Sequence, residues 1–483
     1  MSTNTSLWLT LTSWDWIIFS STILVTSLAA WYGWILRKKA DNHYQQDPQN
    51  SWTDYILMGR RLTLPLFVAT LVATWYGDIL GVTQIAFEYG LYTFLTQGVF
   101  WYLSYILFAI VLVRYIRKMQ ILSFPDLLAK LIGRGPSKFS ALLIFLKTLP
   151  IAYAMGIGIF LKTLFALPFE VAVGIGLVFV FIYSLFGGFR TIVFSDLVQV
   201  IFMYVGIISV VIISFLKFGG IGYLVSHCPS KHFSIHGTFS VLDTFVWFFI
   251  AITTTFLNPT FYQRCLSART DRIAILGIFI SILCWIVFDI CTTLIGLYAK
   301  AYFPQAVPLN ASLTYCLEIL PHGLKGLFLG GVLATILSTL DSFLFISSAT
   351  LMYDLRFMYF KSKFLAHLCA SLITGFFTFC IVIFYEGNFE MAWRMLKGIF
   401  AACIFPPFIL SYMKPHLVNT QLFTVSCFFV LIGMILWNFY KIFPIDAFYI
   451  GQGISWMVLI LGIIVRHVAT SKIFKHYSFK KLK

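Results

Sequence analysis

Long apolar segments follow one another along almost the whole chain of 483 residues, and short polar loops separate them. A helix needs roughly 20 apolar residues to cross a bilayer, and about thirteen segments approach or exceed this length. The predicted spans are residues 14–36, 65–88, 91–113, 138–167, 169–187, 193–217, 241–262, 273–300, 325–352, 365–386, 391–412, 420–440 and 446–466. The pattern therefore predicts an all-α, polytopic membrane protein that lies in a lipid bilayer.

The composition agrees with this interpretation, because 60% of the residues are hydrophobic and only 11% are charged. A soluble domain cannot bury so much apolar surface. The formal net charge of +16 would suit a nucleic-acid-binding protein, but the basic residues lie in short clusters between the apolar segments. Such clusters are typical of the cytoplasmic loops of membrane proteins, so we expect no nucleic-acid partner.

The basic clusters fall on alternate loops. Arg37-Lys38-Lys39 directly follows the first predicted span, and clusters that include Arg114, Arg190 and Arg264 occupy predicted loops on the same side. Since Lys and Arg concentrate in cytoplasmic loops, this bias predicts an N-terminus outside and a C-terminus inside. We expect a multi-pass protein of the cell membrane, either a plasma membrane or a bacterial cytoplasmic membrane.

One predicted span carries a stripe of polar side chains. Thr335, Ser338, Thr339, Asp341 and Ser342 lie three and four residues apart, so a helix places them on one face. A carboxylate at membrane depth costs about 2.5–3.5 kcal/mol even on the gentlest scale, which implies a partner. Two interpretations are open: close helix packing with a polar network, or ligation of a hard, oxygen-seeking cation.

The second predicted span contains Ala73-Thr-Trp-Tyr-Gly-Asp-Ile-Leu-Gly81, in which two glycines flank Asp78 halfway across the membrane. Glycine weakens a helix. A carboxylate cannot face lipid, and irregular backbone at this depth is tolerated where it lines a cavity or is buried in protein. We therefore expect this span to unwind; a glycine packing face with Asp78 bonded to a neighbour is the alternative.

A second interruption is predicted at Pro259, five spans later, because proline removes a backbone donor and three threonines and Asn258 precede it. Interruptions at corresponding positions of two halves indicate an inverted-repeat transporter. The predicted domains are residues 1–64 (one extra span and a loop), 65–217 (first repeat, core helices 1–5), 241–412 (second repeat, core helices 6–10) and 413–483 (two extra spans and a short basic tail).

Four motifs resemble those of the sodium:solute symporter family, which includes the sodium/proline symporter and the sodium/glucose cotransporters. They are Asp54-Tyr-Ile-Leu-Met-Gly-Arg-Arg-Leu62, the Ala73–Gly81 segment with Tyr89-Gly90-Leu91, Gly187-Gly-Phe-Arg-Thr-Ile-Val-Phe-Ser-Asp-Leu-Val-Gln199, and Gln263-Arg-Cys-Leu-Ser-Ala-Arg269 with the Ser338–Ser342 stretch. In order and spacing they cover most of residues 50–412. The resemblance implies a LeuT-like fold with a ten-helix core and additional helices before and after it.

The resemblance also implies a principal sodium site between core helices one and eight. The ligands on helix one would be the backbone carbonyls of Leu71 and Thr74. On helix eight they would be the Thr335 carbonyl and the hydroxyls of Ser338 and Thr339. Oxygen ligands are what a hard cation prefers, so Na⁺ is the expected coupling ion.

Some members of the family hold a second sodium, and the matching residues in this sequence are Asp196, Asp341 and Ser342. Two facing carboxylates favour a bound cation or a shared proton, because adjacent carboxylates resist joint ionisation. Helix capping beside Ser195 is the alternative role for Asp196.

The candidate solute-binding residues lie at the two breaks and on core helix two: Trp75, Tyr76, Asp78, Gln97 and Asn258. Asp78 and Gln97 match positions that bind the solute in sugar-transporting relatives. An aspartate in the cavity favours a cationic or amine-bearing solute, with cation–π contact from Trp75 and Tyr76. The family varies at these positions, so amino acids, sugars, carboxylates and amines all stay open, as does the oligomeric state.

We therefore expect secondary active transport and no enzymatic activity: sodium-coupled symport of a small organic solute by alternating access. The sequence contains no GxxxxGK[ST] loop that would indicate ATP as the energy source. A proton-coupled carrier on the same fold is the main alternative, given Asp78, Asp196 and Asp341. An intramembrane aspartyl protease is a distant alternative, because Tyr76-Gly77-Asp78 and Tyr353-Asp354 resemble its motifs in reversed order.

Overall fold

The computed structural model describes residues 11–43, 48–77, 79–184, 188–235, 241–305, 308–357, 362–384, 389–415, 417–440 and 446–480. In this part of the chain every regular element is a helix, apart from one isolated bridge between Leu62 and Ala268. The α-helices are α1 (Ser13–His43), α2 (Pro48–Leu57), α3 (Leu64–Ala73), α4 (Ile79–Tyr89), α5 (Phe100–Val111), α6 (Val113–Lys118), α7 (Phe124–Leu131), α8 (Arg134–Lys147), α9 (Ile151–Phe165), α10 (Phe169–Ser184), α11 (Phe189–Phe218), α12 (Ile221–His227), α13 (Val241–Phe256), α14 (Pro259–Ser267), α15 (Asp271–Tyr302), α16 (Pro308–Ile319), α17 (Leu324–Ala349), α18 (Lys363–Phe384), α19 (Phe389–Met413), α20 (Thr420–Tyr440) and α21 (Ala447–Lys480). Two π-helical turns, π1 (Phe94–Val99) and π2 (Thr350–Asp354), and two 3₁₀ turns (Met58–Arg60 and Ser230–Phe233) complete the set.

Nine helical segments of the described chain are long and apolar enough to cross a membrane, and a tenth span results if α13 and α14 count as one bent helix. Three shorter apolar helices, α3, α10 and the later part of α19, coincide with further predicted spans. The prediction of an all-helical, multi-pass membrane protein is confirmed.

The chain divides into two compact units. The first comprises residues 1–122, 148–352 and 358–384, and α17 is its most buried span. Within the most apolar window of α17, 94% of the residues are buried, against 22–61% in the other long spans. The polar stripe of α17 therefore faces protein and not lipid, as its composition requires.

Glycines on α17 allow neighbouring helices to approach closely. A Cβ atom at Gly331 would lie 2.7 Å from the carbonyl oxygen of Phe202 on α11, and one at Gly326 would overlap the backbone of Asp15 on α1. Asp15 also accepts the N–H of Gly323 at the start of α17, at 2.6 Å. The helices α1 and α11 thus enclose α17.

The second unit comprises residues 123–147, 353–357 and 385–483, and it contains α7, α8 and α19 to α21. Ser123 caps α7: its hydroxyl oxygen accepts the N–H of Asp126 at 3.2 Å, and Pro125 lies in the first turn. The same hydroxyl donates to the carboxylate of Asp354 at 2.5 Å. Asp354, one of the two aspartates in the protease alternative, is therefore bound to a helix cap.

Both predicted interruptions are present. The helices α3 and α4 are separated by a non-helical turn that includes Thr74 to Gly77, and Asp78 lies outside the described residues. The helices α13 and α14 meet at 49° around Asn258. Asn258 caps α14, since its side-chain oxygen accepts the N–H of Thr260 at 3.1 Å. Because this cap starts a new helix, the second half of the span continues to Ser267, beyond the predicted end at residue 262.

Candidate ion and solute site

The interruption after α3 meets the polar stripe of α17. The Ser338 hydroxyl lies 2.8 Å from the Ala73 carbonyl and 3.0 Å from the Thr335 carbonyl. The Thr339 hydroxyl lies 3.1 Å from the Thr74 carbonyl and 3.2 Å from the Thr335 carbonyl. Two hydroxyls and three carbonyl oxygens of two distant segments thus converge in a fully buried place.

The broken backbone makes these carbonyls accessible. Where α3 ends, the N–H of Trp75 donates to the carbonyl of Val72 at 3.3 Å, and not to that of Leu71 as a continuing α-helix would require. Gly77 permits the approach of α17, because a Cβ atom there would lie 2.5 Å from the Thr339 hydroxyl and 2.6 Å from the ring of Tyr153. Close contact between the two segments therefore depends on glycine at this position.

Four of the five predicted sodium ligands are brought together: Thr74, Thr335, Ser338 and Thr339. Leu71 lies one turn before Thr74 and is buried, and no direct contact between Leu71 and the α17 hydroxyls is observed among the described residues. The Ala73 carbonyl joins the group, although sequence reasoning did not include it. A set of uncharged oxygens can replace the hydration shell of a hard monovalent cation.

Arg264, on α14, is fully buried beside this group. Its guanidinium donates to the hydroxyl of Thr74, to the hydroxyl of Ser342 at 2.9 Å and to the carbonyl of Thr70 at 3.2 Å. The prediction that Arg264 lies in a cytoplasmic loop is wrong, because Asn258 restarts the helix and carries the arginine back into the bundle.

The two carboxylates predicted for a second sodium lie around this arginine. Asp196 is 3.7 Å from the Arg264 guanidinium and accepts the Thr70 hydroxyl at 2.5 Å. The capping alternative for Asp196 is wrong, because Gly188 caps α11 and Asp196 lies two turns inside that helix. Asp341 also interacts electrostatically with Arg264 and Asp196, and the adjacent Ser342 is its nearest hydrogen-bonding neighbour.

Asp341 also borders a small cavity in the first unit. The side chains of Thr191 and His367 line the same cavity, and the Thr191 hydroxyl has no hydrogen-bond partner within the described chain. Buried polar groups without partners are rare in proteins and need an explanation such as bound water or an ion.

The predicted solute residues are distributed around the two breaks. Trp75 and Tyr76 lie in the break after α3, and Gln97 lies in the π-helical turn π1. Asn258 lies in the other break, where its side-chain oxygen is occupied by the N–H and the hydroxyl of Thr260. Asp78 is outside the described residues.

Aromatic rings surround the first break. The ring of Trp75 has its centroid 4.9 Å from that of Trp101, 5.1 Å from that of Tyr105 and 5.7 Å from that of Trp285. Tyr76 lies against Phe288 with centroids 4.0 Å apart, and its hydroxyl donates to the Trp285 carbonyl at 3.3 Å. The break is therefore packed among aromatic rings.

Sequence reasoning missed a further buried carboxylate, Asp289, which lies in the middle of α15 and accepts the hydroxyl of Tyr102. A signal for it was present. Asp289 is an acidic residue in the interior of a predicted span, and such residues are functional candidates by default.

Two interrupted helices around a buried, oxygen-lined site, inside a multi-pass helical bundle, define the class of inverted-repeat secondary transporters. The comparisons agree. The sequence model of the sodium:solute symporter family matches residues 55–421. A solved structure of a Na⁺-coupled sialic acid symporter superposes with a TM-score of 0.77 at 15% identity, over 93% of this chain and 96% of that one.

The chain belongs to the sodium:solute symporter family. The TM-score confirms the predicted LeuT-like fold. Membership of a transporter family also agrees with the expectation of no enzymatic activity and disfavours the protease alternative.

Several characterised relatives are similar over part of their length. The sodium-dependent multivitamin transporter of Oryctolagus cuniculus is 29% identical, over 47% of this chain and 41% of the relative. Sodium-coupled monocarboxylate transporter 2 of Bos taurus is 25% identical, over 68% and 56%. The sodium/pantothenate symporter of Escherichia coli is 26% identical, over 40% and 42%. The chain thus spans about half the length of these relatives.

Proposed function

We propose that this protein is a secondary active transporter that couples the entry of Na⁺ to the uptake of a small organic solute. The observation that carries the proposal is the convergence of the Ser338 and Thr339 hydroxyls on backbone carbonyls freed by the break after α3. The principal sodium ligands would be the carbonyls of Leu71, Thr74 and Thr335 with the two hydroxyls.

The proposed site explains how sodium would drive transport. A bound ion would join the broken helix to α17, and it would favour the outward-facing state only if the inward-facing state separates these ligands. A tenfold sodium gradient supplies about 1.4 kcal/mol. A membrane potential of ~100 mV adds about 2.3 kcal/mol per charge. One sodium per cycle could therefore sustain an accumulation of several hundred-fold for an uncharged solute.

The solute would bind at the two helix breaks, close to Trp75, Tyr76, Asp78, Gln97 and Asn258. The names of the relatives, which include vitamin, monocarboxylate and pantothenate transporters, support a small organic molecule as the solute. The basic loops support an N-out, C-in orientation in the cell membrane. The proposed repeats are residues 65–217 and 241–412, with residues 1–64 and 413–483 as additions.

The net charge of the side chains around Arg264 favours the binding of one further cation. Asp196 and Asp341 carry two negative charges when ionised, and Arg264 supplies one positive charge in the same buried place. A second sodium held by Asp196, Asp341 and Ser342, or a proton, would balance the remaining charge. Two buried carboxylates around a single guanidinium resist joint ionisation, which makes proton coupling the second candidate function.

Flux measurements in proteoliposomes test the proposal. We expect ²²Na⁺ entry to accelerate in the presence of a transported solute, and the Ser338→Ala variant to lose this acceleration. If solute entry is driven by an imposed pH gradient and does not depend on sodium, the result contradicts sodium coupling and supports the proton-coupled carrier. Thr335→Val is the matched control, because the Thr335 hydroxyl bonds to Val332 in its own helix and its carbonyl is retained.

A further inference from the structure

The carboxylate of Asp289 is buried and takes no part in the proposed ion site. Its residue is 3% exposed, in the middle of the 32-residue helix α15. The groups observed around it are two phenol hydroxyls: that of Tyr102, which donates to Oδ2, and that of Tyr76, which lies near the carboxylate and donates to the Trp285 carbonyl. Both groups are neutral, so they do not balance the charge of the carboxylate.

Asp289 differs in this respect from Asp196. The described residues place no Lys, Arg or His nitrogen within 4 Å of Asp289, whereas the Arg264 guanidinium lies 3.7 Å from Asp196. An ionised carboxylate that is buried without a cation is costly. The local structure therefore has a place for a positive charge that the described part of the chain does not supply.

The surroundings connect Asp289 with the proposed solute site. Tyr76 belongs to the break after α3. On the π-helical turn π1, a Cβ atom at Gly98 would lie 3.3 Å from Asp289 Oδ2 and 2.9 Å from the Tyr102 hydroxyl, and Gln97 is the adjacent residue. π-Helical turns are frequent at functional sites. Asp289 thus lies next to the break after α3 and next to π1, and both of these elements contain residues predicted to bind the solute.

Hydrogen-bond donors without partners lie on the same surface. Trp285 is one helical turn before Asp289, so both project from one face of α15. Trp285 is fully buried, yet its indole N–H has no partner among the residues that the structure describes, and the same holds for the hydroxyl of Tyr204. The ring of Tyr105 lies 4.8 Å from that of Trp285, and that of Tyr204 lies 5.2 Å from that of Phe288. Unmade hydrogen bonds in a buried place point to a ligand.

We propose that Asp289 binds a positively charged nitrogen of the transported solute, and that the rings of Tyr76, Trp75 and Trp285 enclose it. Aromatic faces attract organic cations, and the Trp285 N–H would donate to an oxygen acceptor of the same molecule. The solute class is then an ammonium compound (a protonated amine, an amino acid or a quaternary amine). The inference rests on the proposed transport function and narrows its solute, because an uncompensated carboxylate would repel a monocarboxylate.

Thermal unfolding of the purified full chain in sodium buffer tests this inference. The ammonium probes are choline, butylamine and alanine, and the counterparts without an ammonium group are 3,3-dimethyl-1-butanol, 1-pentanol and propionate. We expect at least one ammonium probe to raise the unfolding midpoint while its counterpart does not. In Asp289→Asn the apparent affinity for that probe should fall at least about tenfold, because truncation of one partner of a buried charge pair costs that much or more. Asp271→Asn, on the exposed end of the same helix, should retain it.

The controls separate this inference from the proposed function. Stabilisation by sodium relative to potassium should persist in Asp289→Asn, since the carboxylate is not part of the ion site. The inference is overturned if the uncharged or acidic probes stabilise the wild type equally well, if Asp289→Asn binds the ammonium probe unchanged, or if no ammonium probe acts while sodium still stabilises. If Asp289→Asn fails to fold, the inference is tested on the wild type alone, by comparing each ammonium probe with its counterpart that has no ammonium group.

Discussion

The hydroxyl of Thr339 lies 3.1 Å from the carbonyl oxygen of Thr74, although 265 residues separate the two along the chain. The end of α3 leaves this carbonyl outside regular helix, and α17, the most buried span, presents the hydroxyl to it. The pair joins the two segments at the place where we propose that sodium binds. Changes that separate these segments should remove sodium binding and leave the remaining helices packed.

Gly77→Ala is such a change. The added methyl group would lie 2.5 Å from the Thr339 hydroxyl and 2.6 Å from the Tyr153 ring, so the break must move away from α17. We expect the difference between the unfolding midpoints in sodium and in potassium to disappear. In Gly174→Ala the new methyl group would make only an ordinary 3.7 Å contact, so this control should keep the full sodium response. Equal responses in the two variants would show that close approach at Gly77 is not required.

Arg264→Ala should destabilise the protein strongly. The guanidinium bonds to Thr70, Thr74 and Ser342, and its removal leaves Asp196 buried without its cation. Breaking a buried ion pair costs about 3–5 kcal/mol. The unfolding midpoint should fall far more than in Arg269→Ala, because Arg269 is exposed and only its backbone N–H is seen to bond, to Leu62.

A double variant tests the cause of this effect. Arg264→Ala combined with Asp196→Asn should be less destabilised than the sum of the two single variants, because the second change removes the uncompensated charge. Strict additivity would mean that the arginine acts through packing and not through its charge.

His232 should make stability depend on pH. Its Nε2 donates to the Phe87 carbonyl at 3.0 Å, in a predicted outer loop, and burial with the nearby charge of Lys300 lowers the pKa of His232. The unfolded chain therefore takes up this proton first, so stability should decrease as pH falls from about 6.5 towards the lowered pKa. Unfolding midpoints between pH 7.5 and 5.5 should fall less steeply for His232→Gln, which retains a donor. The same slope in both proteins would assign the pH dependence to other groups.

The fold was largely predictable because the length of an apolar run and the charge of a loop can each be read from a short stretch of sequence. Apolar runs located the helices, and Gly77 and Pro259 located both interruptions. The stripe on α17 was also visible, since Thr335, Ser338 and Thr339 recur with helical spacing. These features need only the 3.6-residue period and the cost of burying polar groups in lipid.

The missed parts of the site depend on contacts between distant residues. The Ala73 carbonyl belongs to the backbone, so no side-chain pattern could reveal it. Arg264 was assigned to a loop because the apolar run ends at residue 262, and hydropathy does not detect that the helix capped by Asn258 continues to Ser267. Asp289 itself was visible as an acidic residue inside a predicted span, but its partner Tyr102 is 187 residues away and could not be inferred.

We propose that the α17 hydroxyls and the carbonyls of the first break bind sodium. Thermal unfolding of wild type, Ser338→Ala and Thr335→Val in sodium and in potassium, at equal ionic strength, tests it most directly. Sodium at a hundredfold its Kd stabilises by about 2.7 kcal/mol, so the wild-type midpoint should rise by a few degrees. We expect Thr335→Val to keep this rise and Ser338→Ala to lose it. A wild-type midpoint that is equal in the two salts, or a full sodium response in Ser338→Ala, would contradict the proposal.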